Sequence, residues 1–215
     1  MKINHICFDL DGTIMDSFPT IFSTTKKVLS ELKIPGQLDE KIFASKVGKH
    51  FIEIFSEMNI QLDNFEEFIA IYKQHYFEFI DDSVLFPGVT ELLNLLNEQQ
   101  IRVSLLTTKA QEQADKIIDH FSLRNYFSFV MGRRNNIPHK PSPASLLHIC
   151  NEIGIPPSET LMTGDTEIDI QCGKSAGAFT CAVDFGYRTR EELIHENPDF
   201  IISSFDELPV IINLI

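Results

Sequence analysis

Short apolar runs that end in polar, chemistry-bearing residues recur along this chain, and amphipathic stretches separate them. Few folds accept that pattern. The runs cover residues 3–8, 101–106, 127–131, 160–162, 178–183 and 200–202. They lead into Asp9-Leu10-Asp11-Gly12, Thr107-Thr108-Lys109, Gly132, Thr163-Gly164-Asp165, Asp184 and Ser203 respectively. Between them, apolar residues return at helical spacing: Val89, Leu92, Leu93 and Leu96; then Ala110, Ala114, Ile117, Ile118 and Phe121; then Leu146, Leu147, Cys150 and Ile153. Runs that are apolar throughout mark strands buried on both faces. The expected fold is therefore α/β, a Rossmann-like parallel sheet core with helices on both faces.

The rhythm breaks once. From residue 16 to residue 85 the chain shows helical patterns and no good strand. Ile21, Val28, Leu29 and Leu32 form one stripe, and Phe51, Ile54, Phe55 and Met58 another. Phe65, Phe68, Ile69, Tyr72, Tyr76 and Phe79 form the longest, and Pro35-Gly36 and Pro87-Gly88 punctuate the stretch. An all-helical unit over 16–85 is thus expected to interrupt an α/β core made of 1–15 and 86–215. Its aromatic stripe reads as the core of a small bundle.

Charge narrows the partners. Lys and Arg number 18 against 31 Asp and Glu, a net charge of −13. Such a surface repels polyanions, so neither nucleic acid nor an anionic membrane is an expected partner. The longest stretch free of charged side chains, residues 141–151, is 11 residues, too short for a spanning helix. The opening Met-Lys-Ile-Asn-His carries no apolar signal core, and the four cysteines show no CxxC spacing. Free thiols and a cytoplasmic location are expected. The Phe content fits a monomer or a weak homodimer.

Open α/β sheets build their sites at the carboxyl ends of the strands. There this chain places Asp9, Asp11, Thr107, Asp165 and, shortly after, Asp169, with Lys140 in the loop before the third helix. Carboxylates gathered in one crevice repel each other unless a cation binds or one acid stays protonated. An all-oxygen donor set suits magnesium better than zinc. Asp9 and Asp11 stand two apart, so in extended backbone their side chains point the same way, one to attack and one to shuttle a proton. Gly12 permits a tight turn whose N–H groups can cradle a phosphoryl oxygen. Thr107 offers a hydroxyl and Lys140 a positive charge. This set supplies the positioning and charge neutralisation that phosphoryl transfer needs.

Phe8-Asp9-Leu10-Asp11-Gly12-Thr13, Leu106-Thr107-Thr108-Lys109, Lys140-Pro141-Ser142-Pro143 and Gly164-Asp165-Thr166-Glu167-Ile168-Asp169 follow one another in this order. Together they resemble the four motifs of the haloacid dehalogenase superfamily, over essentially the whole chain, with 16–85 as its helical cap. The resemblance implies a magnesium-dependent phosphatase similar to phosphoglycolate phosphatases and their pyrophosphatase relatives, acting on a small phosphorylated metabolite. It implies Asp9 as nucleophile and Asp11 as general acid and base. It implies Asp9, the Asp11 carbonyl and Asp165 as magnesium ligands. Thr107 and Lys140 would bind phosphate, with Gly12 and Thr108 beside them. Asp169 would ligate through water or orient Lys140. Thr108 stands where the motif often carries Asn, which touches substrate contacts rather than chemistry.

An acid at position 11 is the mark of phosphatases and phosphomutases rather than dehalogenases. A sugar phosphomutase similar to β-phosphoglucomutase is the alternative enzyme, and a non-catalytic phospho-ligand binder on the same fold is the alternative outside enzymes. In the cap, Lys49 and His50 are candidate substrate contacts. His139 is expected at the site rim and Arg133-Arg134 on a solvated face. His5 and Asp184 are expected in structural roles, and Asp16 is expected to shape a turn.

Overall fold

The computed structural model describes residues 2–35 and 38–213. The expected break at Gly36 lies outside them. The chain divides into two compact units, one made of Met1–Ile14 with Leu85–Ile215 and the other of Met15–Val84.

The larger unit is built on a parallel six-stranded sheet of β1 (His5–Phe8), β4 (Arg102–Ala110), β5 (Phe129–Arg133), β6 (Thr160–Gly164), β7 (Phe179–Val183) and β8 (Phe200–Ile202). Their order is β5-β4-β1-β6-β7-β8, so the first strand is central and neighbours two strands far from it in sequence. The register pairs His5 with both Arg102 and Thr160, and Phe8 with both Leu105 and Thr163. All six apolar runs form strands. The short strands β2 (Met15–Asp16) and β3 (Val84–Leu85) pair with each other where the chain leaves and re-enters this unit.

Side chains alternate across the sheet. Cys7, Leu106, Met131 and Met162 pack with Leu146, Ile149 and Cys150 of α7 (Ala144–Ile153) and Cys172 of α8 (Glu167–Ala176). On the opposite side of β1, Phe8 meets Phe205 edge to face at 6.1 Å. The helices α5 (Val89–Glu98) and α6 (Gln111–His120) bury Val89, Leu92, Leu93 and Leu96 on one and Ala114, Ile117 and Ile118 on the other, while Ala110 and Phe121, expected in the second stripe, flank α6 and are half-buried. In α7 the expected stripe needs correction. Leu147 is 42% exposed, and Ile149 takes its place beside Leu146 and Cys150. Leu147 sits about 100° around the helix from Leu146, on the far side of the buried arc. The remaining helices of this unit are α9 (Arg190–His195) and α10 (Leu208–Ile211).

All four cysteines are free and buried, and burial pushes their thiols up, Cys172 to about 12. Among the described residues no helix is long and apolar enough to cross a membrane.

His5 links the three central strands. Its Nδ1 lies 3.0 Å from Thr160 Oγ1 on β6 and its Nε2 2.7 Å from Ser104 Oγ on β4. Burial drives its imidazole down from 6.5 to about 3. Between those values the unfolded chain binds a proton that the folded chain refuses, so stability falls as pH drops below about 6.5. His5→Asn is expected to lose stability overall yet show a flatter decline between pH 6.5 and 4.5 than the native chain, read by urea denaturation. Equal slopes would mean His5 accepts its proton in the folded sheet.

The smaller unit holds α1 (Phe18–Glu31), α2 (Glu40–Ala44), α3 (Phe51–Glu57) and α4 (Phe65–His75). The aromatic stripe is its core. Phe43, Phe55, Phe68, Tyr72 and Tyr76 are buried, and Phe51 meets Tyr72 at 4.9 Å and Phe68 at 5.3 Å between ring centroids. Asp16 shapes the entry to α1 by accepting from Phe18 N at 3.2 Å.

Candidate active site

Because β1 lies between β4 and β6, the polar residues that follow these three strands share one region of the sheet's carboxyl end. Asp9 follows β1, and its N–H donates to Thr163 O at 2.9 Å, tying the end of β1 to β6. Asp165 follows β6. Lys140 arrives from the loop ahead of α7, through a cis peptide to Pro141.

The Lys140 ammonium stands 2.6 Å from Asp9 Oδ1 and 2.6 Å from Asp169 Oδ1. Asp9, Lys140, Asp165 and Asp169 are 6%, 3%, 0% and 0% exposed. Asp169 is aimed by the cap of its own helix. Its Oδ2 accepts from Thr166 N at 3.1 Å and from the Thr166 hydroxyl at 2.5 Å, which leaves Oδ1 for Lys140. Among the described residues Asp165 has no cation at ion-pair distance. Its Oδ1 accepts from the Thr13 hydroxyl at 3.1 Å and its Oδ2 from Tyr187 N at 2.9 Å.

Backbone crowding fixes this arrangement. Gly12 has φ of 81°, and a Cβ there would stand 2.3 Å from Asp165 Oδ2. A Cβ on Gly186, in the loop after β7, would stand 2.3 Å from the Gly12 carbonyl oxygen.

Burial lifts the Asp9 carboxyl to about 7 against the pull of Lys140, with Asp169 and Asp11 adding to the rise. Burial likewise holds the Asp165 carboxyl well above the usual range, reinforced by Asp169 and Asp9. Burial alone would lower the Lys140 ammonium, but Asp169 and Asp9 hold it above its ordinary value. Asp9, Asp165 and Asp169 each place an oxygen within 4.8 Å of the others, and against these three carboxylates stands one ammonium, paired with Asp9 and Asp169. Fully ionised, this buried group carries two uncompensated negative charges. Its hard oxygen donors and its charge deficit both fit a divalent cation such as magnesium.

Asp11 stands apart from that group. Its Oδ1 lies 3.0 Å from Lys109 Nζ, and the two side chains are largely buried together. Thr107 is buried, and its hydroxyl accepts from Lys109 N at 3.2 Å; Thr108 beside it is half-buried. Both threonines lie in β4, which runs four residues beyond its apolar run and pairs irregularly with β5 between Leu106 and Ala110.

Lys49 and His50 belong to the helical unit. Lys49 pairs with Glu57 at 2.8 Å. His50 caps α3, its Nδ1 accepting from Ile52 N at 3.4 Å, and its ring lies against Phe65 at 5.3 Å. Asp184 is structural, bonded to Arg190 at 2.5 Å and to the Ser203 hydroxyl at 2.9 Å.

Sequence reasoning missed four contributors. Lys109 was within reach of it, since strand alternation puts it on the same side as Thr107. Thr13 and Tyr187 N, which hold Asp165, are joined to it only by the fold. The buried Arg188, 2.9 Å from Glu167 Oε2, likewise leaves no local signature.

The family model of the haloacid dehalogenase-like hydrolases matches residues 6–183. The phosphoglycolate phosphatase of Chromobacterium violaceum is 31% identical over 97% of this chain and 97% of its own. The pyrophosphatase PpaX of Halalkalibacterium halodurans is 30% identical over 97% of this chain and 96% of its own. Among solved structures, a haloacid dehalogenase-like family hydrolase of Streptococcus pneumoniae superposes with a TM-score of 0.87 at 25% identity, over 97% of both chains.

Proposed function

The chain belongs to the haloacid dehalogenase-like hydrolases, and from that premise we propose a magnesium-dependent phosphatase that cleaves a small phosphorylated metabolite through an aspartyl-phosphate. The observation that carries this reading is Asp9. It is a buried carboxylate held at Oδ1 by Lys140 and, among the described residues, given no donor at Oδ2.

Asp9 Oδ2 forms the new bond to phosphorus while the bond from phosphorus to the leaving oxygen breaks, and Asp11 gives that oxygen its proton. Water then attacks the phosphorus of the acyl phosphate. Asp11 takes the water's proton, inorganic phosphate departs, and the Asp9 carboxylate is restored. Lys140 and Thr107 bear on the phosphoryl oxygens, and the N–H groups around Gly12 cradle them. Lys109 fixes the Asp11 carboxylate in place. Asp9, Asp165 and the Asp11 carbonyl would hold magnesium, which supplies positive charge to the phosphoryl group. The phosphoglycolate phosphatase and pyrophosphatase relatives support a small, highly charged substrate.

The test is a panel of phosphorylated metabolites, with 2-phosphoglycolate and pyrophosphate among them, assayed after chelation and again with added magnesium. Turnover is expected only with the metal, with phosphate released and no isomer formed from β-glucose 1-phosphate. Full turnover in chelator would overturn the metal assignment. Isomer without phosphate would point to a mutase instead.

A further inference from the structure

The last residue of β5, Arg133, and the loop after it, residues 134–139, line a cavity of about 390 Å³. Its lining residues include Arg133, Arg134 and His139 and no Asp or Glu. An antiparallel bridge between Arg134 and Ile137 shapes the loop, closed by Ile137 N donating to Arg134 O at 3.4 Å. β5 reaches it by its carboxyl end, the end at which open α/β sheets hold ligands. One residue beyond His139 lies Lys140, whose ammonium touches Asp9.

Arg134 is organised in advance. Its Nε donates to Gln111 Oε1 at 3.0 Å, and its guanidinium lies 5.6 Å from the centre of the Phe129 ring. Gln111 is itself locked. Its Oε1 also accepts from Gly132 N at 2.9 Å, and its Nε2 donates to Val130 O at 3.1 Å and to Asp115 Oδ2 at 3.0 Å. One edge of the Arg134 fork is thus spent on a neutral partner, while the remaining N–H groups keep the geometry that grips an oxyanion. Acids exceed bases by 13 in this chain, yet neither Arg133 nor Arg134 has a carboxylate at ion-pair distance among the described residues. A solvated pair of arginines on so acidic a surface would find acids easily. These two face a cavity without them.

We propose that this loop is an oxyanion subsite, distinct from the carboxylate centre, that takes a phosphate or carboxylate group. The occupant comes from one of two sources: a second anionic group on the substrate, or a free small anion. Only the first rests on the phosphatase reading.

Two measurements separate these. In the first, kcat/KM of the R133Q/R134Q variant is compared on 2-phosphoglycolate, whose leaving group bears a carboxylate, and on phenyl phosphate, whose leaving group bears none. A substrate subsite predicts a loss of about tenfold on 2-phosphoglycolate, carried by KM, with phenyl phosphate unchanged. In the second, the arginine Nε–H resonances of the native chain are followed by NMR while sulfate is added at constant ionic strength against chloride. Shifts confined to Arg133 and Arg134, with both esters unaffected by the variant, identify a free anion. No sulfate-specific shift together with equal effects on the two esters overturns the subsite. Should the native enzyme cleave neither ester, the sulfate titration alone decides the subsite, and only a blank across the whole metabolite panel ends the phosphatase reading.

Discussion

Asp9→Asn is expected to lower turnover of every ester by on the order of 10⁴-fold, because the amide cannot carry a phosphoryl group through to hydrolysis. The same change leaves the folded chain at least as stable. Asparagine is nearly isosteric, and Lys140 keeps its 2.6 Å contact with Asp169. Burial, with Asp169 and Asp11, lifts the Asp9 carboxyl to about 7, so the folded chain holds that proton more tightly than the unfolded chain does. Ionising Asp9 therefore removes stability as pH rises from about 4 to about 7, and asparagine escapes that loss. In chelator above pH 7 the variant is expected to melt at or above the native temperature, and the gap is expected to close toward pH 4. Acid quenching with labelled substrate checks the chemical half: label is retained on the native protein and is absent from the variant. Native-like turnover by a preparation free of contaminating phosphatase would end the nucleophile assignment.

This separation of activity from stability follows from how the site is assembled, and only part of that assembly is written locally. The six strands were legible because each is buried on both faces and so reads as an uninterrupted apolar run. The polar end of β4 was not, since β4 resumes pairing with β5 only at Ala110, after an irregularity that leaves no apolar trace. In α7 the spacing placed Leu147 in the stripe, and only the arc facing Cys7 and Met162 shows that Ile149 holds that place. Asp9, Lys140 and Asp165 were legible as strand-end and loop residues in ordered motifs. Their bonding was less so. The sequence left Asp169 either to orient Lys140 or to ligate through water, and the geometry shows it touching Lys140 directly while capping α8. Thr13 and Asp165 are 152 positions apart and meet because β1 and β6 are neighbours. Gln111 and Arg134 meet because α6 packs beside β5, so an arginine expected on a solvated face forms part of one locked network.

Lys140→Met tests the charge balance from the other side. Methionine keeps much of the stem's volume but removes the ammonium that serves both Asp9 and Asp169. Removing one partner of a buried ion pair costs about 3–5 kcal/mol, because the remaining charge stays out of water. In chelator the variant is expected to lose that much stability near neutral pH, and to recover part of it in acid as the carboxylates protonate. Magnesium should also recover part of it, since three carboxylates without an ammonium attract a dication more strongly than three with one. Activity should stay at least about a hundredfold down even when magnesium restores the fold, because the positive charge on the phosphoryl oxygens is gone. Lys140→Arg separates charge from shape. A planar guanidinium keeps the charge but does not fit a site built around a compact ammonium, so stability returns further than activity. Native melting of Lys140→Met in chelator at neutral pH would mean that the buried acids hold protons rather than charge, and the case for a dication among them would fall with it.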